Sequence, residues 1–441
     1  MSIREHGLTP DQLEVAFDDF RRHDADWRSG RTWSLVYSAG DRHDAVLQTA
    51  YTSFFHENGL SPSAFPSLER MEREVVRDLL EHLGSNPATS GGTMASGGTE
   101  SIILAVKAYR DRAEIANPSI VIPSTAHPAF VKAGDLLQVR VNIVPVGESL
   151  VADVEAMTRA VDSTTIAIGA SAPAYPYGLV DPIPELGELA MQSGAGLHVD
   201  ACLGGIPLPF LRHMGRPVPE FDFSVPGVTS ISVDIHKYGF AAKGASAILY
   251  RDRDLRRHQF TVITEWPGGA LTSPTLLGTR PGGGIAAAWT ALNHLGVDGY
   301  LEIFESIMST FDQLLSGIRS IGDLEVIGDP PMSVFALTSA EKDVFDIADG
   351  LERRDWRIDR QSRPDSLHHI VTPRHVPVIE QYLGDLHASY EEAAPSQPEA
   401  VARTAFYGVT SRIEQSDDLE ESLLQDLASR YDEHREPDVA T

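Results

Sequence analysis

The stretch I-S-V-D-I-H-K-Y-G, residues 231–239, is the one on which the fold turns. S-I-S-V-D at 230–234 reads as a short buried strand, and Lys237 follows closely behind it, directly after His236. In α/β sheets ligands gather at the carboxyl ends of the strands, so this is a place where a lysine has chemistry available to it. A lysine becomes a nucleophile near neutral pH only when its pKa is lowered, and strand-end burial beside other positive groups can do that. An isolated His-Lys is most often a surface pair, so its company carries the argument.

Working outward, L-H-V-D-A-C-L-G-G at 197–205 ends another strand on Asp200, about three dozen residues before Lys237. A buried carboxylate there could pair with the ring nitrogen of a pyridine cofactor or simply cap the next loop. T-M-A-S-G-G-T-E-S-I-I-L-A at 93–105 sets Gly97, Gly98 and Thr99 before a helix. Backbone N–H groups at a helix N-terminus, closely approached where there is no side chain, suit a phosphate; the same Gly-Gly also makes an ordinary turn. S-T-A-H-P-A-F at 124–130 puts His127 after a third strand, where a neutral imidazole stacks on a flat ring or sits satisfied in a core.

Around these segments the apolar runs I-V-I-P (120–123), R-V-N-I-V-P-V (140–146), T-I-A-I-G-A (165–170), G-L-H-V-D (196–200), S-I-S-V-D (230–234) and S-A-I-L-Y (246–250) alternate with helices. That alternation predicts an α/β domain with a largely parallel sheet. Residues 8–24 predict a peripheral helix after Thr9-Pro10, and 67–83 a second helix stopped by Gly84. Beyond a Gly/Pro-rich passage at 266–284, a long helix over 285–320, strands at 324–328, 333–337 and 368–372, and helices near 343–354 and 376–390 predict a small α+β domain. The tail from about 391 is expected to be helical and acidic. The expected division is an N-terminal arm at 1–62, a large cofactor-binding domain at 63–295 and a small domain with its tail at 296–441.

Composition narrows the function. With 36 basic and 63 acidic side chains the formal charge is -27, which repels nucleic acid and anionic membrane surfaces, so any phosphate must be held locally. A single cysteine, Cys202, excludes an internal disulfide and suits the cytosol. The opening M-S-I-R-E-H-G-L-T-P has no signal-length apolar run, and no stretch approaches the roughly 20 apolar residues of a membrane span, so a soluble protein without an integral membrane segment is expected. No metal site is expected.

Phosphate loop, His, Asp and His-Lys stand in the order found in fold-type I enzymes that use pyridoxal 5'-phosphate (PLP). The chain resembles the sphingosine-1-phosphate lyase family, bacterial type, within the PLP-dependent group II decarboxylase superfamily. The likeness rests on S-G-G-T-E-S (96–101), G-A-S-A-P-A-Y-P-Y-G (169–178), H-V-D-A-C-L-G-G (198–205), S-V-D-I-H-K-Y-G-F-A-A-K-G (232–244) and S-P-T-L-L-G-T-R-P-G (273–282), and extends to V-Y-S (36–38), F-P-S-L-E-R-M-E-R-E-V-V (65–76) and Y-G-V-T-S (407–411).

The resemblance implies an α/β, fold-type I PLP-dependent transferase-like fold: a large domain with a mostly parallel seven-stranded sheet plus a small α+β C-terminal domain. It implies that Lys237 carries PLP as a Schiff base, that Asp200 pairs with the pyridinium, that His127 stacks on the ring, and that Gly97, Gly98, Thr99 and His236 hold the phosphate. Gly278 and Thr279 match a segment that reaches the phosphate from the partner subunit, which implies a homodimer with shared active sites. Tyr37, Tyr177 and Lys243 are the candidates for the reacting hydroxyl or a distal phosphate of a small-molecule amine substrate, with Tyr177 joining Lys237 and His127 as catalytic. One departure stands out. Where the family carries His-Pro-Asp before Phe-Pro, this chain reads L-S-P-S-A-F-P at 60–66, so Ser61 stands in for the phosphate-binding His and Ser63 for the Asp. A serine brings no positive charge, which should weaken the grip on a phosphate dianion by about 1–3 kcal/mol.

The leading expectation is therefore a PLP-dependent aldehyde-lyase that cleaves a β-hydroxy amine, such as sphingosine 1-phosphate, into a fatty aldehyde and phosphoethanolamine by retro-aldol chemistry. The alternative is an amino-acid α-decarboxylase, since the same electron sink serves whichever Cα bond is held perpendicular to the ring. A pocket arginine binding a carboxylate would favour it, and Arg280 and Arg374 are open to that role or to salt bridges. A catalytically idle homologue should have lost Lys237, Asp200 or the glycines, and this chain keeps all of them.

Overall fold

The computed structural model describes residues 3–396, 403–405, 412–414, 419–429 and 431. Helix α1 (Pro10–Phe20) begins at a capping box, in which the Thr9 hydroxyl accepts from the Gln12 N–H and the Gln12 side chain returns the bond. It buries none of its residues. Helix α2 (Asp41–Ser53) and helix α3 (Pro66–His82) follow; α3 buries Leu68, Val75, Val76, Leu79 and Leu80 along one stripe, and Gly84, at φ +72°, turns the chain away two residues after it.

The large sheet then forms in alternation with helices: β1 (Gly91–Ala95), α4 (Gly98–Ala113), β2 (Ser119–Pro123), α5 (Ala129–Leu137), β3 (Arg140–Val144), α6 (Val154–Ala160), β4 (Thr165–Ser171), α7 (Ile183–Ser193), β5 (Gly196–Asp200), α8 (Pro207–His213), β6 (Val228–Asp234) and β7 (Ser246–Tyr250). Its seven strands run in the order β1-β7-β6-β5-β4-β2-β3. β2, β3, β4, β5 and β6 pair in parallel, while β7 is antiparallel to both β6 and β1. Because side chains alternate across a strand, Ile120 and Ile122 join one core with Ile103 and Phe130, whereas Val121 joins the opposite core with Ile168 and Val199. Helices thus cover both faces, as a parallel sheet requires.

The register sets up the site. Asp234 at the end of β6 pairs with Ser246 at the start of β7, which pairs in turn with Ala95 at the end of β1. Asp200 at the end of β5 lies level with Ser171 of β4 and Ser232 of β6. One edge of the sheet therefore collects the loops after β1, β2, β5 and β6, which are the loops carrying Gly97, His127, Cys202 and Lys237.

Beyond the sheet come α9 (Arg253–Arg257), a hairpin of β8 (Thr261–Ile263) and β9 (Leu271–Ser273), and helix α10 (Gly282–Ile318), which breaks at Gly296 where the backbone is non-helical. β10 (Glu325–Val326), β11 (Val334–Thr338), α11 (Val344–Glu352), β12 (Asp359–Gln361), β13 (Ser366–Ile370) and α12 (Ile379–Glu392) build the second unit, a four-stranded sheet in the order β10-β11-β13-β12. β14 (Arg403–Ala405) pairs antiparallel with β15 (Arg412–Glu414) before α13 (Leu419–Ser429). The tail is thus not helical throughout, and the Y-G-V-T-S segment at 407–411 lies outside the described residues. β1 is not among the apolar runs in the sequence, because it opens on two glycines at the antiparallel side of the sheet.

Candidate active site

Lys237 sits in a turn just past β6, and its Nζ lies 2.8 Å from Oδ2 of the buried Asp234. Burial alone would lower the pKa of Lys237, but the charge of Asp234, with Cys202 and Tyr37 adding to it, raises it well above the ordinary lysine value. The acid three residues upstream outweighs burial and holds the amine as ammonium. Burial would raise the Asp234 pKa, yet Lys237 and then His236 bring it below the ordinary carboxylate value. His236 Nε2 faces the same carboxylate at 3.7 Å, and its Nδ1 accepts the Ala245 N–H at 3.1 Å.

Asp200 is buried, with Oδ1 accepting from the Cys202 N–H at 3.1 Å and the Ser232 hydroxyl at 3.2 Å. These donors aim the carboxylate from the strand end. Burial lowers the pKa of His127, with the charge of Asp200 opposing and that of Lys237 assisting, so its ring is neutral. Its Nδ1 accepts the Ala129 N–H at 3.1 Å.

The start of α4 presses onto the same floor. A Cβ on Gly98 would lie 2.6 Å from Cys202 Sγ and 3.1 Å from Asp234 Oδ2, and one on Gly97 would lie 3.7 Å from His236 Cε1. Only glycine at 98 lets the helix N-terminus approach this closely. Thr99 is half-buried beside it, and the buried Glu100 accepts from the Ser96 N–H and hydroxyl, both at 2.7 Å, and from the Leu276 N–H at 2.9 Å. Glu100 and Asp234 are residues to which the sequence reading gives no role, although both lie inside quoted segments.

Two further candidates join the cluster. Tyr37 meets Tyr238 edge-on at 5.2 Å, and Lys243 Nζ stands 5.0 Å over the Tyr37 ring. Lys243 keeps a solvent-exposed flank and donates to the carbonyls of Leu35 (3.1 Å) and His236 (3.4 Å). The protein around its amine, and next the charge of Lys237, lower its pKa to about 8.

Others lie apart. The Tyr177 hydroxyl donates to the Arg363 carbonyl at 2.7 Å, and it lines a cavity of about 400 Å³ with Thr125, Tyr175 and Asp359. Ser61 Oγ meets Ser63 Oγ at 3.1 Å. Its segment is held to the chain around Arg280, through the Gly59 N–H to the Arg280 carbonyl at 2.8 Å and a bridge between Asn58 and Pro281. Gly278 and Thr279, both exposed, are close in sequence to that bridge. Arg280 pairs with Glu72 at 2.7 Å, and Arg374 with Asp41 and Asp44, so both arginines left open by the sequence have carboxylate partners within the chain.

The model of the pyridoxal-dependent decarboxylase conserved domain matches residues 25–338, most of the chain. The chain belongs to that family. Within the family it is similar to a sphingosine-1-phosphate lyase of Arabidopsis thaliana, 41% identical over 96% of this chain and 80% of that protein. An L-aspartate/L-glutamate decarboxylase of Pyrococcus horikoshii is 31% identical over 88% of this chain and 99% of that one. Among solved structures, a sphingosine-1-phosphate lyase of Burkholderia pseudomallei superposes with a TM-score of 0.89 and 35% identity, covering 98% of this chain and 97% of that one. The fold is that of fold-type I PLP enzymes, and the family's cofactor is PLP. The residues present fit it: a lysine at a strand end, a carboxylate aimed by two donors, and a glycine-lined helix N-terminus that a Cβ would fill.

Proposed function

We propose that the protein is a PLP-dependent aldehyde-lyase that cleaves the Cα–Cβ bond of a phosphorylated β-hydroxy amine, sphingosine 1-phosphate or a close analogue, into an aldehyde and phosphoethanolamine. The observation that carries this reading is the convergence of Lys237, Asp200, His127 and the Gly97-Gly98 turn on one sheet edge, in a chain more similar to lyases than to decarboxylases. Lys237 would hold the cofactor covalently, Asp200 would meet its ring nitrogen, His127 would lie on its face, and Gly97, Gly98, Thr99 and His236 would surround its phosphate. PLP supplies an electron sink for the pair released when the Cα–Cβ bond breaks.

The chain's own groups would handle protons and position. The β-hydroxyl must lose its proton as the bond breaks, and Cα must gain one. Lys237 and Tyr177 are the groups proposed for these transfers; Tyr177 must first leave the Arg363 carbonyl. Lys243 and Tyr37 would meet the substrate phosphate, the lysine as its nearby cation. The segments carrying Ser61 and the Gly278-Thr279 loop are joined by contacts of Gly59 with Arg280 and of Asn58 with Pro281, which supports their joint delivery to a partner subunit's site in a homodimer. The exposed Leu276 and Leu277 of that loop, with the exposed Trp266 in the turn between β8 and β9, offer apolar surface to bury. We place the enzyme in the cytosol on its single, buried cysteine; among the described residues no helix is long and apolar enough to cross a membrane.

The reading is tested by offering the PLP-loaded protein sphingosine 1-phosphate and its unphosphorylated parent. Aldehyde formed from the phosphorylated compound, and lost in Lys237→Ala, is the expected result. Equal turnover of both would remove the phosphate from the proposal.

A further inference from the structure

Lys237 opens a turn in which each of the next three residues is tied to a different part of the molecule. The Tyr238 hydroxyl donates to the Val371 carbonyl at 3.0 Å, just past β13. The Gly239 carbonyl accepts from the Tyr300 hydroxyl of α10 at 2.9 Å. The Phe240 carbonyl is met by His43 Nε2 of α2 at 3.2 Å. Phe240 has φ +55°, a left-handed conformation that a residue with a Cβ adopts only when its surroundings hold it there. Its N–H donates to the Lys237 carbonyl at 2.8 Å, so the Phe240 backbone is bonded directly to that of the lysine.

The chemistry of the His43 contact is fully determined. A carbonyl only accepts, so Nε2 carries the hydrogen and a neutral His43 offers a lone pair at Nδ1. That Nδ1 lies 3.0 Å from Nδ1 of His294 on α10. Two facing ring nitrogens at this distance share one hydrogen, which His294 must supply. His43 is 3% exposed, so its burial favours the neutral ring, and the charged or titrating groups that act on it are His294 from α10 and Asp44 from α2. An aliphatic residue would fill a buried site on α2 at lower desolvation cost, so a histidine pair here calls for a role.

We propose that His43 is a positioning residue for Lys237: its Nε2–H holds the Phe240 carbonyl and with it the lysine turn, while His294 fixes the tautomer that makes the bond. The inference rests on Lys237 being the cofactor-bearing amine.

Two measurements test it. Imidazole ¹⁵N NMR of the cofactor-free protein should show His43 as the Nε2–H tautomer and His294 as Nδ1–H. In the PLP-loaded enzyme, His43→Leu should lower kcat and the rate of borohydride capture of PLP at Lys237 by about ten- to a hundredfold, with KM changed less than about threefold. His43→Gln, whose amide N–H can reach the same carbonyl, should recover most of both. A His43 Nδ1–H tautomer, or capture and kcat within about twofold of wild type in His43→Leu, would overturn the proposal. Should His43→Leu not fold, His294→Ala decides: an unaltered His43 tautomer with unaltered rates overturns it as well. Absence of capture in the wild type would instead defeat the assignment of Lys237, and the NMR result, read without cofactor, keeps the two failures apart.

Discussion

Lys237 and Asp234 form a buried pair, and removing one partner exposes what it does to the other. Asp234→Asn takes away the charge that holds the lysine as ammonium, so in the cofactor-free protein the midpoint for chemical modification of Lys237 should move down by about one pH unit or more. An unmoved midpoint would mean that Asp234 does not set the lysine's charge. Lys243 offers a second titration. With a pKa of about 8 it is a cation below that pH and is neutralised as the pH rises through it, so KM for a phosphorylated substrate should climb above pH 8. In Lys243→Met, KM should be high at every pH and lose that dependence. The sequence marks Lys237, Asp200 and His127 because each follows an apolar run at a strand end. It does not reveal the charge state of the lysine, because Asp234 reads as the last residue of a strand until Lys237 turns back over it. The link from Glu100 to Leu276 was equally hidden, since it spans loops far apart in the chain.

At the scale of elements, the site is made by how closely α4 approaches β5 and β6. Gly98→Ala would place a methyl 2.6 Å from Cys202 Sγ and should weaken PLP binding by about tenfold or more, a cost on the order of 1.4 kcal/mol, measurable by cofactor titration. Adding Cys202→Ala removes the nearest obstacle and should restore part of the loss. No recovery would place the strain at Asp234 instead. β2, β4 and β6 were legible in the sequence because both their faces are buried, leaving short runs rich in apolar residues. β1 was not, because two of its five residues are glycine and its pairing with β7 depends on residues more than a hundred positions away. The long helix over 285–320 was also legible, whereas its break at Gly296 was not, since a lone glycine inside a helical pattern more often leaves the helix intact.

For the whole molecule, the same reasoning separates one chain from two. Ser61, Gly278 and Thr279 were singled out by resemblance alone, and the fold ties their two segments together where Gly59 meets Arg280 and Asn58 meets Pro281. A shared site predicts complementation. Lys237→Ala chains mixed with Thr279→Arg chains, each poorly active alone, should regain activity as mixed dimers, and Trp266→Glu should shift sedimentation toward the monomer with loss of activity. Absence of complementation between chains shown to mix would place Thr279 outside the partner's site. The two arginines show the limit of reading charge from sequence: Arg280 and Arg374 each find carboxylates contributed by distant segments, Glu72 for one and Asp41 with Asp44 for the other. That removes the two arginines the sequence had left open for binding a substrate carboxylate and weighs against the decarboxylase reading.

The most direct test follows both carbon products at once. Purified protein loaded with PLP is given sphingosine 1-phosphate and, separately, a panel of amino acids, while aldehyde and carbon dioxide are measured together. Aldehyde in step with phosphoethanolamine, without carbon dioxide, is the predicted result. Carbon dioxide released from an amino acid, with no aldehyde from the phosphorylated amine, would contradict it and make the protein a decarboxylase on the same fold.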